Sequence, residues 1–178
     1  MALYREGLDV KGANEIAILP VRLKQASFTA RTLYGFGNHA SPLLAWREEQ
    51  MPVGQGDQVV GDMPHNRASA EFIRLVRHSL ILERGTELHL FEGMPAKWAQ
   101  PGSVTRARDI ATEFGPMSLE FSVAKDGATA ILKLTAPRRT PPDRIVLHLD
   151  NWSGRAGTLD LPWRAYSRTE IKLSSVGR

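Results

Sequence analysis

The pattern of apolar and polar positions changes period near Gly85. Upstream, apolar residues recur at the three- and four-residue spacing of an amphipathic helix; downstream they alternate every second residue, as in half-buried strands. The spacing predicts a first helix over 27–50, with Phe28, Leu33, Phe36, Leu43, Leu44 and Trp46 as its apolar residues. Gly35, Gly37 and Pro42 interrupt it and predict a kink or break near Ser41-Pro42. Met51-Pro52 ends it, because the residue before a proline avoids the α region. A glycine-rich loop over 53–64 leads to a second helix over 66–84. Phe72, Leu75, Val76, Ser79, Leu80 and Leu82 mark its buried side, Arg74, Arg77, Glu83 and Arg84 its wet side, Asn66 its N-cap and Gly85 its C′ position. Before the first helix, Ile16–Leu19 is a short apolar run that fits a strand or a buried turn.

From Thr86 onward, strands are predicted over 87–91, 118–123, 130–135 and 144–149, with a hairpin turn at Lys125-Asp126-Gly127-Ala128. Helices followed by strands at roughly ten-residue intervals predict an α+β chain. A helical hairpin over residues 1–85 precedes an antiparallel β-sandwich over residues 86–178.

Composition narrows the function. The 178 residues are 42% hydrophobic and 24% charged, enough apolar material for a core, and cysteine is absent. That removes disulfides, thiolate zinc sites, iron–sulfur clusters and a cysteine nucleophile. Lys and Arg number 23 against 19 Asp and Glu, a net +4, and the cations are scattered apart from Arg138-Arg139 and Arg106/Arg108. Without a basic stripe, no nucleic-acid partner is expected. No apolar run approaches the roughly 18 residues of a membrane span, so no membrane partner is expected either. The histidines at 39, 65, 78, 89 and 148 form no His-x-x-x-His pattern, and no nucleotide-binding glycine motif is present. No metal and no cofactor are expected from these spacings.

Two stretches hold candidate chemistry. On a helix through residue 50, His39, Leu43, Trp46 and Gln50 would share a face. Glu48 and Glu49 would then fall at its C-terminal end, where the macrodipole disfavours negative charge. A carboxylate at the mouth of a cleft, beside the Trp46 ring and the Arg47 guanidinium, explains an acid there; so does a solvated helix end with a core tryptophan. In Gly61-Asp-Met-Pro-His-Asn-Arg67, Asp62 and His65 gather where a loop enters a helix. They fit either a polar-ligand site or a turn held by its own hydrogen bonds. Trp98, Trp152 and Trp163 offer rings for stacking on sugars or for ordinary packing.

These segments form a recognisable series. Leu43-Leu-Ala-Trp-Arg-Glu-Glu, Gly61-Asp-Met-Pro-His, Ala68-Ser-Ala-Glu-Phe-Ile and Leu82-Glu-Arg-Gly occur in order. They are followed by Leu88-His-Leu-Phe-Glu-Gly-Met-Pro-Ala-Lys-Trp98 and Thr112-Glu-Phe-Gly-Pro-Met-Ser-Leu-Glu-Phe121. Over about residues 28–150 the chain resembles the C-terminal end of bacterial six-hairpin glycosidase-like proteins, in which an (α/α) toroid precedes a β-sandwich. The resemblance implies that residues 1–85 are the remnant of the toroid's last hairpin, and that the sandwich braces and closes it. It also implies that Trp46 with Glu48 or Glu49, and His65, line a sugar pocket, with a glutamate as general base. The chain departs from the family pattern at Asn66-Arg67, where an aromatic residue usually follows the histidine.

Glycoside hydrolysis needs two carboxyl groups about one bond, and the family's general acid comes from an earlier hairpin. The expectation is therefore a C-terminal portion of a carbohydrate-active protein, not a complete catalyst alone. Its partners would be a carbohydrate and an upstream toroid domain, or a second copy meeting it through the helical hairpin. The alternative is a non-catalytic carbohydrate-binding or protein-interaction sandwich. Met1–Glu6 lack a signal-peptide pattern, which leaves localisation open and is compatible with a periplasmic or secreted parent.

Overall fold

A computed structural model describes residues 8–9, 26–50 and 59–174. The run Ile16–Leu19 and the side chain of Phe28 lie outside the described residues. The chain divides into two compact units, Met1–His78 and Ser79–Arg178. Among the described residues the architecture is α+β: two helices, then a sandwich of two four-stranded sheets.

In the first unit the order is β1 (Leu8–Asp9), α1 (Ala26–Asn38), β2 (Glu49–Gln50), β3 (Val59–Val60) and α2 (Asn66–Leu80), with the three short strands in one antiparallel sheet, β1-β2-β3. Helix α1 stops at Asn38, well short of residue 50. Ser41 causes this, its hydroxyl accepting from the Leu43 and Ala45 amides at 3.3 and 3.2 Å while Leu44 takes a φ of 56°. Pro42 has no amide with which to continue the helix. Helix α2 begins at Asn66, so the cap position is His65, whose carbonyl accepts the first helical bond from the Ser69 amide at 3.2 Å. The helices of this unit meet in an aromatic cluster: Phe36 of α1, Trp46 and Phe72 of α2 stack at centroid distances of 4.6–5.4 Å, with Ala68 beneath.

Helix α2 ends four residues before the predicted limit. Ile81–Arg84 forms β4, which turns through Gly85-Thr86 into β5 (Glu87–Leu90). Gly85 has a φ of 59°, so it is a hairpin glycine and not a helix terminator. A short 3₁₀ turn, Ala96–Ala99, precedes β6 (Val104–Ile110), β7 (Met117–Val123), β8 (Thr129–Thr135), β9 (Arg144–His148), β10 (Thr158–Leu161) and β11 (Ser167–Lys172). One sheet runs β10-β9-β5-β4 and the other β11-β8-β7-β6. All pairings are antiparallel except β5 with β9, which is parallel. Inward residues of both sheets share one core, centred on an edge-to-face trio of Phe91, Phe121 and Trp152. Each such ring contributes about 1.5–3 kcal/mol by leaving water.

On the outer face of the second sheet, Glu120 lies opposite Lys133 of β8 and Arg106 of β6. Its carboxylate accepts from Lys133 Nζ at 2.8 Å and from Arg106 Nε at 2.7 Å. The Lys133 bond foremost, then the Arg106 bond, pull the Glu120 pKa down to about 2. Because the folded value lies below the unfolded one, the stabilisation is complete above the ordinary glutamate pKa and is lost as pH falls toward 2. We expect the Glu120 carboxyl carbon to titrate near 2 by NMR and to move upward in Lys133→Met. A midpoint at the ordinary glutamate value in the unmodified protein would contradict this.

Candidate functional site

The first unit assembles a polar cluster from two segments that run side by side. The β2–β3 ladder pairs Glu49 with Val60 and Gln50 with Val59. Beyond the ladder the same antiparallel approach continues, with the Glu48 amide donating to the Asp62 carbonyl at 3.3 Å and the His65 amide to the Trp46 carbonyl at 2.8 Å. This pairing brings Glu48 to Asp62 and His65. One carboxylate oxygen of Glu48, one of Asp62 and one ring nitrogen of His65 all lie within 4.8 Å of one another.

His65 Nδ1 and Asp62 Oδ1 are 2.7 Å apart, and the His65 side chain is 18% exposed against 70% for Asp62. The hydrogen bond from His65 is the main reason that the Asp62 carboxyl is held below its ordinary range, against a smaller opposing effect of desolvation. An ionised Asp62 fixes the proton of His65 on Nδ1 and leaves Nε2 as the ring's second polar atom. The arrangement is thus a carboxylate-oriented imidazole with a second carboxylate, Glu48, beside it.

Gly61 makes room for this approach. It adopts a φ of 81°, and a Cβ there would run into the Cβ and carboxylate of Glu48. Gly61→Ala is expected to cost ~1–2 kcal/mol from its left-handed backbone alone, and to push Glu48 away from Asp62. A crystal structure of the variant with Glu48 unmoved would sink this account.

Trp46, Arg47, Glu48, Asp62 and His65 therefore fall in one region, but not on a helix. The helical face expected for His39, Leu43, Trp46 and Gln50 does not form, since α1 ends at Asn38; Glu48 lies at a bend just before β2, outside any helix, and the macrodipole has no bearing on it. Leu43 is 89% exposed, whereas Trp46 is buried between Phe36 and Phe72, with Nε1 donating to the Phe36 carbonyl at 2.8 Å. The Trp46 ring anchors the Glu48 segment to the helices and offers solvent no stacking face. Arg47 is half-buried next to it. The side chain of Glu49 lies outside the described residues. His39 closes α1, its Nδ1 2.7 Å from the Gly35 carbonyl.

In the second unit Trp152 belongs to the core, which withdraws it from sugar stacking, and Trp98 packs partly buried against that core. Trp163 and Tyr166 are half or more exposed. Tyr166 edges a groove of about 190 Å³ with Arg106, Arg108, Lys133 and Thr135. The same unit holds a buried group that sequence spacing did not signal: His89, His148 and Glu92. Among the described residues no helix is long and apolar enough to cross a membrane. Compared with known proteins, the chain matches no family model, no curated protein and no solved structure.

Proposed function

We propose that the chain is the C-terminal part of a carbohydrate-active protein of the six-hairpin glycosidase-like kind, in which Glu48, Asp62 and His65 form one wall of a sugar pocket. The observation that supports this best is the convergence of those three side chains within 4.8 Å, from segments 14 residues or more apart, around a glycine that admits Glu48. In this reading Glu48 is the general base that takes a proton from water as it attacks an anomeric carbon. His65, oriented by Asp62, donates or accepts a hydrogen bond at a sugar hydroxyl through Nε2.

Asp62 does not supply the second carboxyl group that glycoside hydrolysis requires. A general acid must be protonated at working pH, and the bond from His65 biases Asp62 toward its ionised form. In this reading the acid comes from another helical hairpin, as the resemblance implies, and the sandwich braces the assembly. The test compares glycosidase activity of this chain alone with that of the chain joined to the toroid hairpins of its parent. Activity only in the second supports the reading; turnover by this chain alone contradicts it. A second reading, a non-catalytic glycan-binding sandwich, draws on the exposed Trp163 and on the groove beside Tyr166, where Arg106, Arg108 and Lys133 outnumber Glu120, a balance that suits an acidic sugar.

A further inference from the structure

The second unit brings together two histidines 59 residues apart in the chain. His89 of β5 and His148 of β9 lie on the face of their sheet away from the core. Leu88 and Leu90, and Ile145, Leu147 and Leu149, alternate with them and fill that core. Parallel pairing of the two strands, with His89 opposite Val146, sets the rings together, His89 Nδ1 2.8 Å from His148 Nε2. Glu92 joins them through a break in the alternation. Phe91, at a φ of 62°, packs into the core directly after Leu90, so that Glu92 returns to the histidine face. A non-glycine residue held at positive φ is strained, and such strain clusters at functional sites. His89, His148 and Glu92 are only 8%, 2% and 1% exposed, and one donor atom from each lies within 4.8 Å of the others.

Two features beyond proximity favour a cation here. Glu87 Oε2 lies 3.0 Å from His89 Nε2, and Glu87 is itself held by Arg144 at 3.2 Å. The carboxylate keeps the proton of His89 on Nε2, so the Nδ1 lone pair points at His148, the arrangement found behind metal-bound histidines. Each Glu92 oxygen gives one lone pair to Arg84 and keeps another.

We propose that His89, His148 and Glu92 form a binding site for one divalent transition metal of the zinc class, with Glu87 as the positioning residue that orients His89. Two imidazoles and a carboxylate are a donor set that zinc and cobalt(II) accept, with a fourth position for solvent. Nitrogens bound to one tetrahedral metal lie about 3.3 Å apart, so the rings need to open by roughly 0.5 Å. The site is independent of the sugar-pocket reading and belongs to a different unit.

The test titrates cobalt(II) into the full chain after chelator treatment, followed by visible d–d absorption and equilibrium dialysis. One equivalent should bind with the intense bands of a four-coordinate site and be displaced by zinc. His148→Gln should lose at least about 100-fold in affinity, and Glu87→Gln about 10- to 100-fold with an unchanged circular dichroism spectrum. Glu87 lies at the rim, so its variant keeps the test decisive even where His148→Gln fails to fold. His65→Gln should leave binding intact, which separates this site from Glu48, Asp62 and His65. Absence of cobalt bands, or bands lost in His65→Gln and retained in Glu87→Gln, overturns the proposal.

Discussion

Arg84→Ala is expected to destabilise the second unit by about 3 kcal/mol, the lower end of what breaking a buried ion pair costs. Arg84 grips Glu92 with both ends of its guanidinium, Nε and Nη2 each 2.8 Å from a carboxylate oxygen. The partners are unequally buried: the Glu92 side chain is 1% exposed and that of Arg84 32%. Removing Arg84 therefore leaves a carboxylate in the protein with neither water nor a cation around it. The Asn151 side-chain Nδ2 donates to the Glu92 backbone carbonyl at 3.0 Å and holds the backbone in place, which limits relaxation toward solvent. For a unit of this size the loss corresponds to a fall in Tm of about 12–24 °C. The measurement belongs in chelator, since a metal on Glu92 would offset part of the loss. Arg84→Met combined with Glu92→Leu should recover most of it, because an apolar pair leaves no charge stranded. A single variant melting within two or three degrees of its parent, at about the level of a surface pair, would show that Glu92 is not held as described.

Hairpin strands β7 and β8 were legible because Leu119, Phe121 and Val123, and Ala130, Leu132 and Leu134, alternate strictly around a glycine-containing turn. Strand β6 was not. Its register slips between Ala107 and Ile110, where Asp109 takes a φ of 50°, and the bulge destroys the two-residue period. Strands β10 and β11 lie at sheet edges with one buried residue each, Leu161 and Ile171, too few to show a pattern. In β4, Ile81-Leu82 simply extends the apolar run of α2; only the pairing with β5 decides that it is strand. Local propensity cannot register such a partner.

The sites divide in the same way. Asp62 and His65 are three residues apart and meet through a local turn, so a sequence reading finds them together. Glu48 joins them through the antiparallel approach of two non-helical segments that continues the β2–β3 ladder, which a helix over 27–50 does not foresee. His89 and His148 meet through the one parallel pairing in the sandwich, which no spacing rule encodes. The available signal was their common position in two strands, each following an inward leucine, and it is visible only once the strands are known to be neighbours.

On the proposed reading, Glu48→Gln, made in the chain joined to the toroid hairpins of that parent, is expected to lower kcat by about 10³-fold, within the range for loss of a general base. The substitution keeps the side-chain shape, so the approach to Gly61 survives and the change is confined to charge and basicity. The KM should move little, because a base acts on water in the transition state and adds little to ground-state affinity. The acidic limb of the kcat/KM profile, which reports protonation of the base, should disappear with the carboxylate. His65→Gln gives the opposite signature. An imidazole that contacts a sugar hydroxyl contributes to binding, so KM should rise more than kcat falls. On the same reading Glu49→Gln should change kcat by less than about tenfold, since among the described side chains Glu48 is the glutamate that meets the Asp62–His65 pair. Equal losses in the two glutamate variants would mean that the Asp62–His65 pair does not define the reacting face. A Glu48→Gln protein with an intact acidic limb would move the base to the toroid and leave this chain a binding wall.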